Sequence, residues 1–378
     1  MNRGDRWLIA LSLALTAVGV IMVYSSSAIL GITRYQDPNH FLVKQAFRAG
    51  LGVLVLIGCA RVPLRVLELI APWLFGLAIF LLGLTAAMGI ASHGSSRWLG
   101  IGAHTFQTTD FARLATVVFM ARWLKRRPPD ELGFTRGVLP AMAFAGGAAL
   151  LVLAQPNLSS AGLLGVTGLI MVFMAGARIR HLAIPVAAGA AVVVLALATH
   201  PYQMTRVHTF WSVLFGGPID PRGPGWQLDQ SLIAIGSGGW FGRGLGGGLQ
   251  KYLFLPEAHT DFIFSIMAEE LGFLGSTGLL VLVTMLLWRG MRAASRASDP
   301  FTYLLASGLT VQIGLYAIVN LAVATGLVPT TGLPFPFVSY GGTALLANLA
   351  AAGLLYRVSA VNEVDEDLAR RRWSQEAS

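Results

Sequence analysis

Residues 7–29, WLIALSLALTAVGVIMVYSSSAI, carry no charge over a length that matches the ~20 residues a helix needs to cross a bilayer core. The run follows Arg3 and Arg6 as a secretory leader would, but it exceeds a leader's roughly 7–15 apolar residues and lacks a small-residue cleavage site. It reads as a retained first span. Similar runs recur at 43–60, 66–90, 108–124, 137–154, 160–177, 181–199, 264–288, 302–326 and 339–357, which makes about ten spans. Of the 378 residues, 55% are hydrophobic and 12% charged, against roughly 25% charged in a soluble domain. The expected fold is therefore an all-α polytopic membrane protein, one integral membrane domain over residues 1–378. A long extracytoplasmic loop, about 200–264, lies between helices 7 and 8.

The net charge of +9 is explained by where the basic residues fall. Arg61 and Arg65, then Lys125, Arg126, Arg127 and Arg136, then Arg178 and Arg180, then Arg289, Arg292 and Arg296 occupy connections on one side, and Arg370, Arg371 and Arg372 follow in the tail 358–378. The positive-inside rule makes that side cytoplasmic, with both termini on it, so no nucleic acid is needed to account for the charge. The single cysteine, Cys59, excludes an intrachain disulfide and a thiolate metal cage, and reads as a small packing residue.

Irregular sequence gathers on the opposite side. The 200–264 segment holds Asp220, Pro221, a glycine run from Gly236 to Gly248, Lys251, Glu257, His259 and Asp261. It is too apolar for disorder and is expected to fold over the outer surface. Its glycines lack the strand–turn–helix setting of a nucleotide site and imply close backbone packing or a re-entrant turn. Ser95-Ser96-Arg97-Trp98 with a Gly-rich turn, and Gly332-Leu333-Pro334-Phe335-Pro336-Phe337, also break the helical pattern there. Together they outline an outward cleft.

Ionisable residues near the spans are costly and so are candidates. Asp110 and Arg113 share a helix face, as a structural pair or as a substrate contact. Lys44 and Arg48 share another, where snorkelling competes with a site role. Glu269 stays open, while Glu270 is expected to favour a helix N-terminus. Asp261, in His259-Thr260-Asp261-Phe262-Ile263-Phe264, stands where a loop meets a span, among apolar neighbours that would suit a general base; N-capping is the equal alternative.

Two blocks carry a family resemblance. Gln230-Ser231-Leu232-Ile233-Ala234-Ile235-Gly236-Ser237-Gly238-Gly239, Gly244-Leu245-Gly246, Gln250-Lys251 and Leu255-Pro256-Glu257-Ala258-His259-Thr260-Asp261-Phe262-Ile263-Phe264, ending in Glu269-Glu270-Leu271-Gly272, form the first. Gly326 to Gly342, GLVPTTGLPFPFVSYGG, is the second. With Tyr24-Ser25-Ser26-Ser27 and Arg97-Trp98, these resemble the SEDS family (shape, elongation, division and sporulation), its FtsW-like division branch more than its RodA-like elongation branch. The family's usual Gln-Pro-Ser-Glu-Phe-Ala-Lys stands here as Gln107-Thr108-Thr109-Asp110-Phe111-Ala112-Arg113, and Asn157 replaces a usual aspartate.

The resemblance implies a peptidoglycan glycosyltransferase that polymerises lipid II on the outer face of the inner membrane at the division septum, with Asp261 matching the family's essential aspartate. The donor sugar is α-linked to diphosphate and the product is β-1,4, so one inversion suffices, and diphosphate leaves without the acid that glycosidases require. Asp261 would deprotonate the acceptor's 4-hydroxyl. Lys44, Arg48, Arg97, Arg206 and Lys251 are available to the departing diphosphate, and a divalent cation, Mg or Mn, is implied by family and chemistry with no ligand set assigned. Trp98, Asp110, Arg113, Gln230, Glu257, His259 and Ser339 complete the expected substrate-binding set. Implied partners are the nascent glycan strand, a class B penicillin-binding protein for crosslinking, and other divisome proteins. The alternatives are a lipid II flippase, which should place polar groups at the midplane and inside as well as outside, an elongation-type polymerase, and a noncatalytic scaffold.

Overall fold

The computed structural model describes residues 4–92, 95–101, 104–127, 132–199, 201–217 and 223–376. Helices α1 (Arg6–Tyr35), α2 (His40–Arg61) and α3 (Leu64–Met88) lead to a small antiparallel sheet of β1 (Ile90–Ser92), β2 (Ser95–Ile101) and β3 (His104–Gln107). Helices α4 (Thr108–Lys125), α5 (Leu139–Leu153), α6 (Leu158–Met174) and α7 (Ile179–Thr199) follow, with a π-helical turn, Phe134–Val138, opening α5. Then come α8 (Pro201–Leu214), α9 (Pro224–Ser237), α10 (Ile263–Ser295), α11 (Pro300–Ala324) and α12 (Gly342–Glu376).

Eight of these helical stretches are long and apolar enough to cross a membrane. Helices also coincide with the other two expected spans: α4, which carries Asp110, Arg113, Arg122 and Lys125, and α6, which is 17 residues long. Large apolar side chains such as Trp73, Phe80, Phe47 and Val194 are exposed on the outside, as lipid contact requires. Inside, small residues bring helices together. Gly353 of α12 packs on the Leu56 backbone of α2, and Gly19 of α1 admits the Phe337–Val338 backbone. Buried hydroxyls return to their own helix, as Ser12 does to the Leu8 carbonyl (2.7 Å) and Thr16 to that of Ser12 (2.8 Å).

The structure corrects the expected fold in three places. Ser95-Ser96-Arg97-Trp98, read as irregular, belongs to β2 of the three-stranded sheet. The last helix runs on from the expected span into the tail, to Glu376. The 200–264 segment, expected as a loop over the outer surface, contains two helices and a re-entrant turn; Asp220 and Pro221 lie outside the described residues.

That turn penetrates α10. At Gly272 the helix breaks (φ 67°, ψ −165°). A continuous helix would bond the Phe273 and Leu274 amides to the Glu269 and Glu270 carbonyls. Instead, residues 239–244 insert between them. Phe273 N donates to Gly239 O (2.8 Å) and Leu274 N to Trp240 O (3.1 Å), while Arg243 N and Gly244 N donate to Glu269 O and Glu270 O (each 3.0 Å). A Cβ at Gly238 would meet the Ala268 carbonyl, one at Gly242 the Glu270 carbonyl, and one at Gly272 the Gly242 amide. Gly272 lies nine residues into α10, so the turn reaches about 14 Å below its first residue. The glycine run thus serves close backbone approach.

Gly272→Ala is expected to cost at least about 2 kcal/mol, since both backbone conformation and space forbid a Cβ. Gly278→Ala, where no atom stands within 4 Å of the new Cβ, should be neutral or stabilising. Thermal midpoints of the two variants in detergent would show this, and equal midpoints would contradict the account.

Candidate active site

The turn carrying Asp261 is built by one carbonyl. Glu257 adopts a left-handed backbone (φ 54°), and its oxygen accepts from Thr260 N (3.2 Å), Asp261 N (3.2 Å) and Phe262 N (3.3 Å). The Glu257 carboxylate accepts from the Thr260 hydroxyl (2.7 Å). Phe262, not Asp261, occupies the N-cap position of α10, and its side chain makes no cap hydrogen bond.

Three elements hold this turn. Asn320 of α11 donates through Nδ2 to Asp261 O (2.8 Å) and to Leu333 O (2.7 Å). Ser339 donates its hydroxyl to Thr260 O (2.5 Å) and accepts from Phe335 N (2.8 Å). Tyr340 N donates to His259 O (2.9 Å), and Gln45 of α2 reaches Ser339 O (3.4 Å). The Pro-Phe-Pro-Phe segment and the Asp261 turn therefore form one unit. Asn320 is 1% exposed and went unnoticed in the sequence, where a lone amide in an apolar helix gives no signal.

Asp261 itself is half-buried. Gly332, at φ 75°, lies beside it: a Cβ there would come to 3.5 Å of Asp261 Oδ2, an ordinary contact distance, so it is the left-handed backbone that favours glycine here. His259 packs its ring on Phe41 (4.9 Å between centroids) and Tyr340 (5.3 Å). Burial pushes its imidazole below the ordinary value, opposed by Glu257 and reinforced by Arg34. Arg48 lies over Tyr340 (4.7 Å to the ring centre), against Gly342. Lys44 is exposed, 2.9 Å from His40 Nε2. Arg206 of α8 donates to Thr330 O (3.1 Å), just before Gly332. Trp98 sits in β2, paired with Ile90 and Gln107, while the Arg97 side chain lies outside the described residues.

Several expected site residues are engaged elsewhere. Lys251, read as a cation for diphosphate, is buried against Glu270 (2.7 Å) and Ser25 (3.3 Å). Ser25 in turn donates to Glu270 Oε2 (2.6 Å). Glu270 is correspondingly no N-terminal carboxylate but the acid of a buried pair, fully enclosed on the turn before the break. Glu269 accepts from the amides of Leu249 (2.8 Å) and Gln250 (3.2 Å), tying down the re-entrant turn. Gln230 bonds Asp229 (3.3 Å) on α9, beside Ser231, which joins Ser265 (2.6 Å) and the Ala324 carbonyl (2.7 Å).

Asp110 and Arg113 pair at 3.5 Å, 5% and 2% exposed. Thr343 donates to Asp110 (2.7 Å), and Arg113 reaches Asn348 Oδ1 (3.0 Å) and lies over Tyr316 (4.4 Å). The pair therefore joins α4 to α11 and α12. Asn157 caps α6 through Ser160 N (3.4 Å), a task asparagine performs as well as aspartate. Among the described residues, no group of three or more His, Cys, Asp or Glu is placed to hold a metal ion.

A helical membrane protein whose broken span presents a half-buried carboxylate on a braced turn is the class that fold and site define. The family model described as "Cell cycle protein", covering FtsW, RodA and SpoVE, matches residues 5–364, and the chain belongs to this family. It is 37% identical to stage V sporulation protein E of Bacillus subtilis, over 94% of this chain and 96% of that one. It is 40% identical to the probable peptidoglycan glycosyltransferase FtsW of Thioalkalivibrio sulfidiphilus, over 92% and 87% respectively. A solved structure described as "Structural coordination of polymerization and crosslinking by a peptidoglycan synthase complex" matches with a TM-score of 0.76 and 34% identity, covering 94% of this chain and 97% of that chain.

Removing one member of the buried Lys251–Glu270 pair leaves an uncompensated charge, so Lys251→Met should cost about 3–5 kcal/mol. The double variant Lys251→Met/Glu270→Met should recover most of that loss. A thermal-denaturation cycle measures the coupling, and additive losses would show that the pair is not a unit.

Proposed function

We propose that this protein is a peptidoglycan glycosyltransferase that polymerises lipid II at the outer face of the cytoplasmic membrane, with Asp261 as its general base. Family membership and the likeness to proteins named as such glycosyltransferases support the reaction class. The observation that carries the residue assignment is the bracing of the Asp261 turn by Asn320, Ser339 and Tyr340. Such bracing fixes the backbone that carries the carboxylate.

In the proposed step, Asp261 removes the proton from the acceptor's 4-hydroxyl as that oxygen attacks the anomeric carbon. The anomeric bond to diphosphate breaks and the leaving group takes the electron pair, inverting the centre. Diphosphate needs no acid to depart, so a second carboxylate is not required. Arg48 and Arg206, near the Tyr340 and Thr330 ends of the last external segment, are the cations proposed to receive the developing charge. Lys251 is not among them. A Mg or Mn ion would find no protein cage among the described residues. The polyprenyl tail is assigned to an apolar groove of about 620 Å³ between α5, α6 and α7. Helix α7 buries only Leu182 and Ala196, so this wall is lightly held.

The topology proposed with this reading has both termini in the cytoplasm and ten spans, and the protein is assigned to the septum beside a class B penicillin-binding protein and other divisome components. That partner is supported by the likeness to the peptidoglycan synthase complex. The buried Lys251–Glu270 cluster lies deeper than the polar groups expected from sequence, yet its charged atoms are matched within the protein, unlike a transport site that must exchange partners.

Asp261→Asn should lower polymerisation of labelled lipid II, measured with the cognate transpeptidase and read as glycan length on gels, by about 100-fold or more. Undiminished ladders would remove Asp261 from this role. Ladders absent from wild type, with lipid II crossing liposomes, would favour the flippase. Asn320→Leu should lower kcat by about tenfold with little change in KM, because it loosens the base without touching substrate contacts. Asn320→Gln should restore part of the rate; a change confined to KM would contradict positioning.

A further inference from the structure

At the other end of the bundle, a proline creates an unusual fixture. Pro72 inside α3 lacks the amide that would donate to the Glu68 carbonyl four residues earlier. Arg122 of α4 fills the vacancy, its Nη1 donating to Glu68 O (2.6 Å) and Leu69 O (2.7 Å). Arg122 is thereby pinned to α3 through backbone alone. Arg127, just past the end of α4, lies 3.5 Å above the Trp123 ring and donates to the Trp123 carbonyl (3.2 Å).

The two described acids nearby, Glu68 and Asp299, are taken up by a different cation. Both turn to Lys125, at 3.0 and 3.1 Å. Among the described residues, no carboxylate pairs with Arg122, Arg126 or Arg127. These three arginines, with Pro72, Phe119 and Trp123, enclose a cavity of about 450 Å³. Three guanidiniums, two of them held in place, thus line one concavity without a carboxylate partner among the described residues.

We propose that this cavity binds the headgroup of an anionic phospholipid. The guanidiniums supply the fork that a phosphodiester accepts, and their fixed placement reduces the ordering cost of binding. Pro72, Phe119 and Trp123 give the glycerol and first methylenes an apolar wall. That wall distinguishes a lipid from free phosphate. Pro72 lies eight residues into α3 and Phe119 six before the end of α4, so the cavity spans the helix ends to about 10 Å deeper, the depth of a headgroup and its ester region. Trp73, 81% exposed beside Pro72, faces the same level of the bilayer. The assignment does not rest on the polymerase reading; only the leaflet, cytoplasmic, follows from the proposed topology.

The test is native mass spectrometry of the full-length protein released from vesicles of equal phosphatidylglycerol and phosphatidylcholine. Wild type should retain phosphatidylglycerol in clear preference. Arg126→Gln/Arg127→Gln should lose that preference by about tenfold, with Arg122 kept to preserve the α3 contact. The charge-matched control Arg178→Gln/Arg180→Gln, on the same side but away from the cavity, should behave as wild type, and circular dichroism would verify that both variants fold. Equal lipid ratios in all three proteins, or equal loss in both variants, would overturn the proposal. Displacement of the lipid by millimolar glycerol phosphate would also overturn it in favour of a small-anion site.

Discussion

The four hydrogen bonds at Gly272 are the constraint on which the Asp261 end of the molecule depends. A helix can break within a bilayer only where its orphaned amides and carbonyls are answered, because no water is present to do so. Here the answer comes from residues 239–244, which stand between two groups that a regular helix would join directly. Once the turn is wedged there, residues 249–251 are held against Glu269 and Glu270, and the chain has only a short distance to climb before Asp261. The position of the carboxylate is thus set by backbone pairing well below it.

A second brace acts from above. Asn320, Ser339 and Tyr340 join the Asp261 turn to the segment around Pro334 and Pro336, where prolines and a left-handed Phe337 (φ 66°) exclude a helix. Both irregular segments would be unstable alone in lipid, and each satisfies polar atoms of the other. The result is a carboxylate on a rigid turn, beside the left-handed Gly332. Rigidity is what a base that must meet an acceptor hydroxyl at a fixed distance requires.

The spans were legible because bilayer thickness imposes a length and lipid imposes composition; every expected apolar run overlaps a helix, and eight helical stretches are long and apolar enough to cross a membrane. Sequence also marked the glycine run as a place of close backbone approach. It did not reveal that the approach was to α10, since residues 238–244 and 272 are distant in the chain and α10 reads as one apolar helix. The same distance concealed the fate of Lys251: a lysine between a glycine run and a candidate acid looks available for substrate, and only packing shows Glu270 and Ser25 claiming it. The sheet at 90–107 escaped notice because its strands are short and rich in serine and glycine, with little alternation to betray them.

The interlock at α10 also bears on how the sequence can vary. Gly238, Gly242 and Gly272 each oppose backbone atoms, which cannot rotate away as a side chain can. Enlarging one is not repaired by trimming a neighbour, because nothing smaller than glycine exists. Variation at these sites is therefore a one-way loss, whereas the Lys251–Glu270 pair can in principle drift by paired exchange to two apolar residues. Mutational histories of the two features should differ in kind: glycines frozen one by one, ions replaced together or not at all.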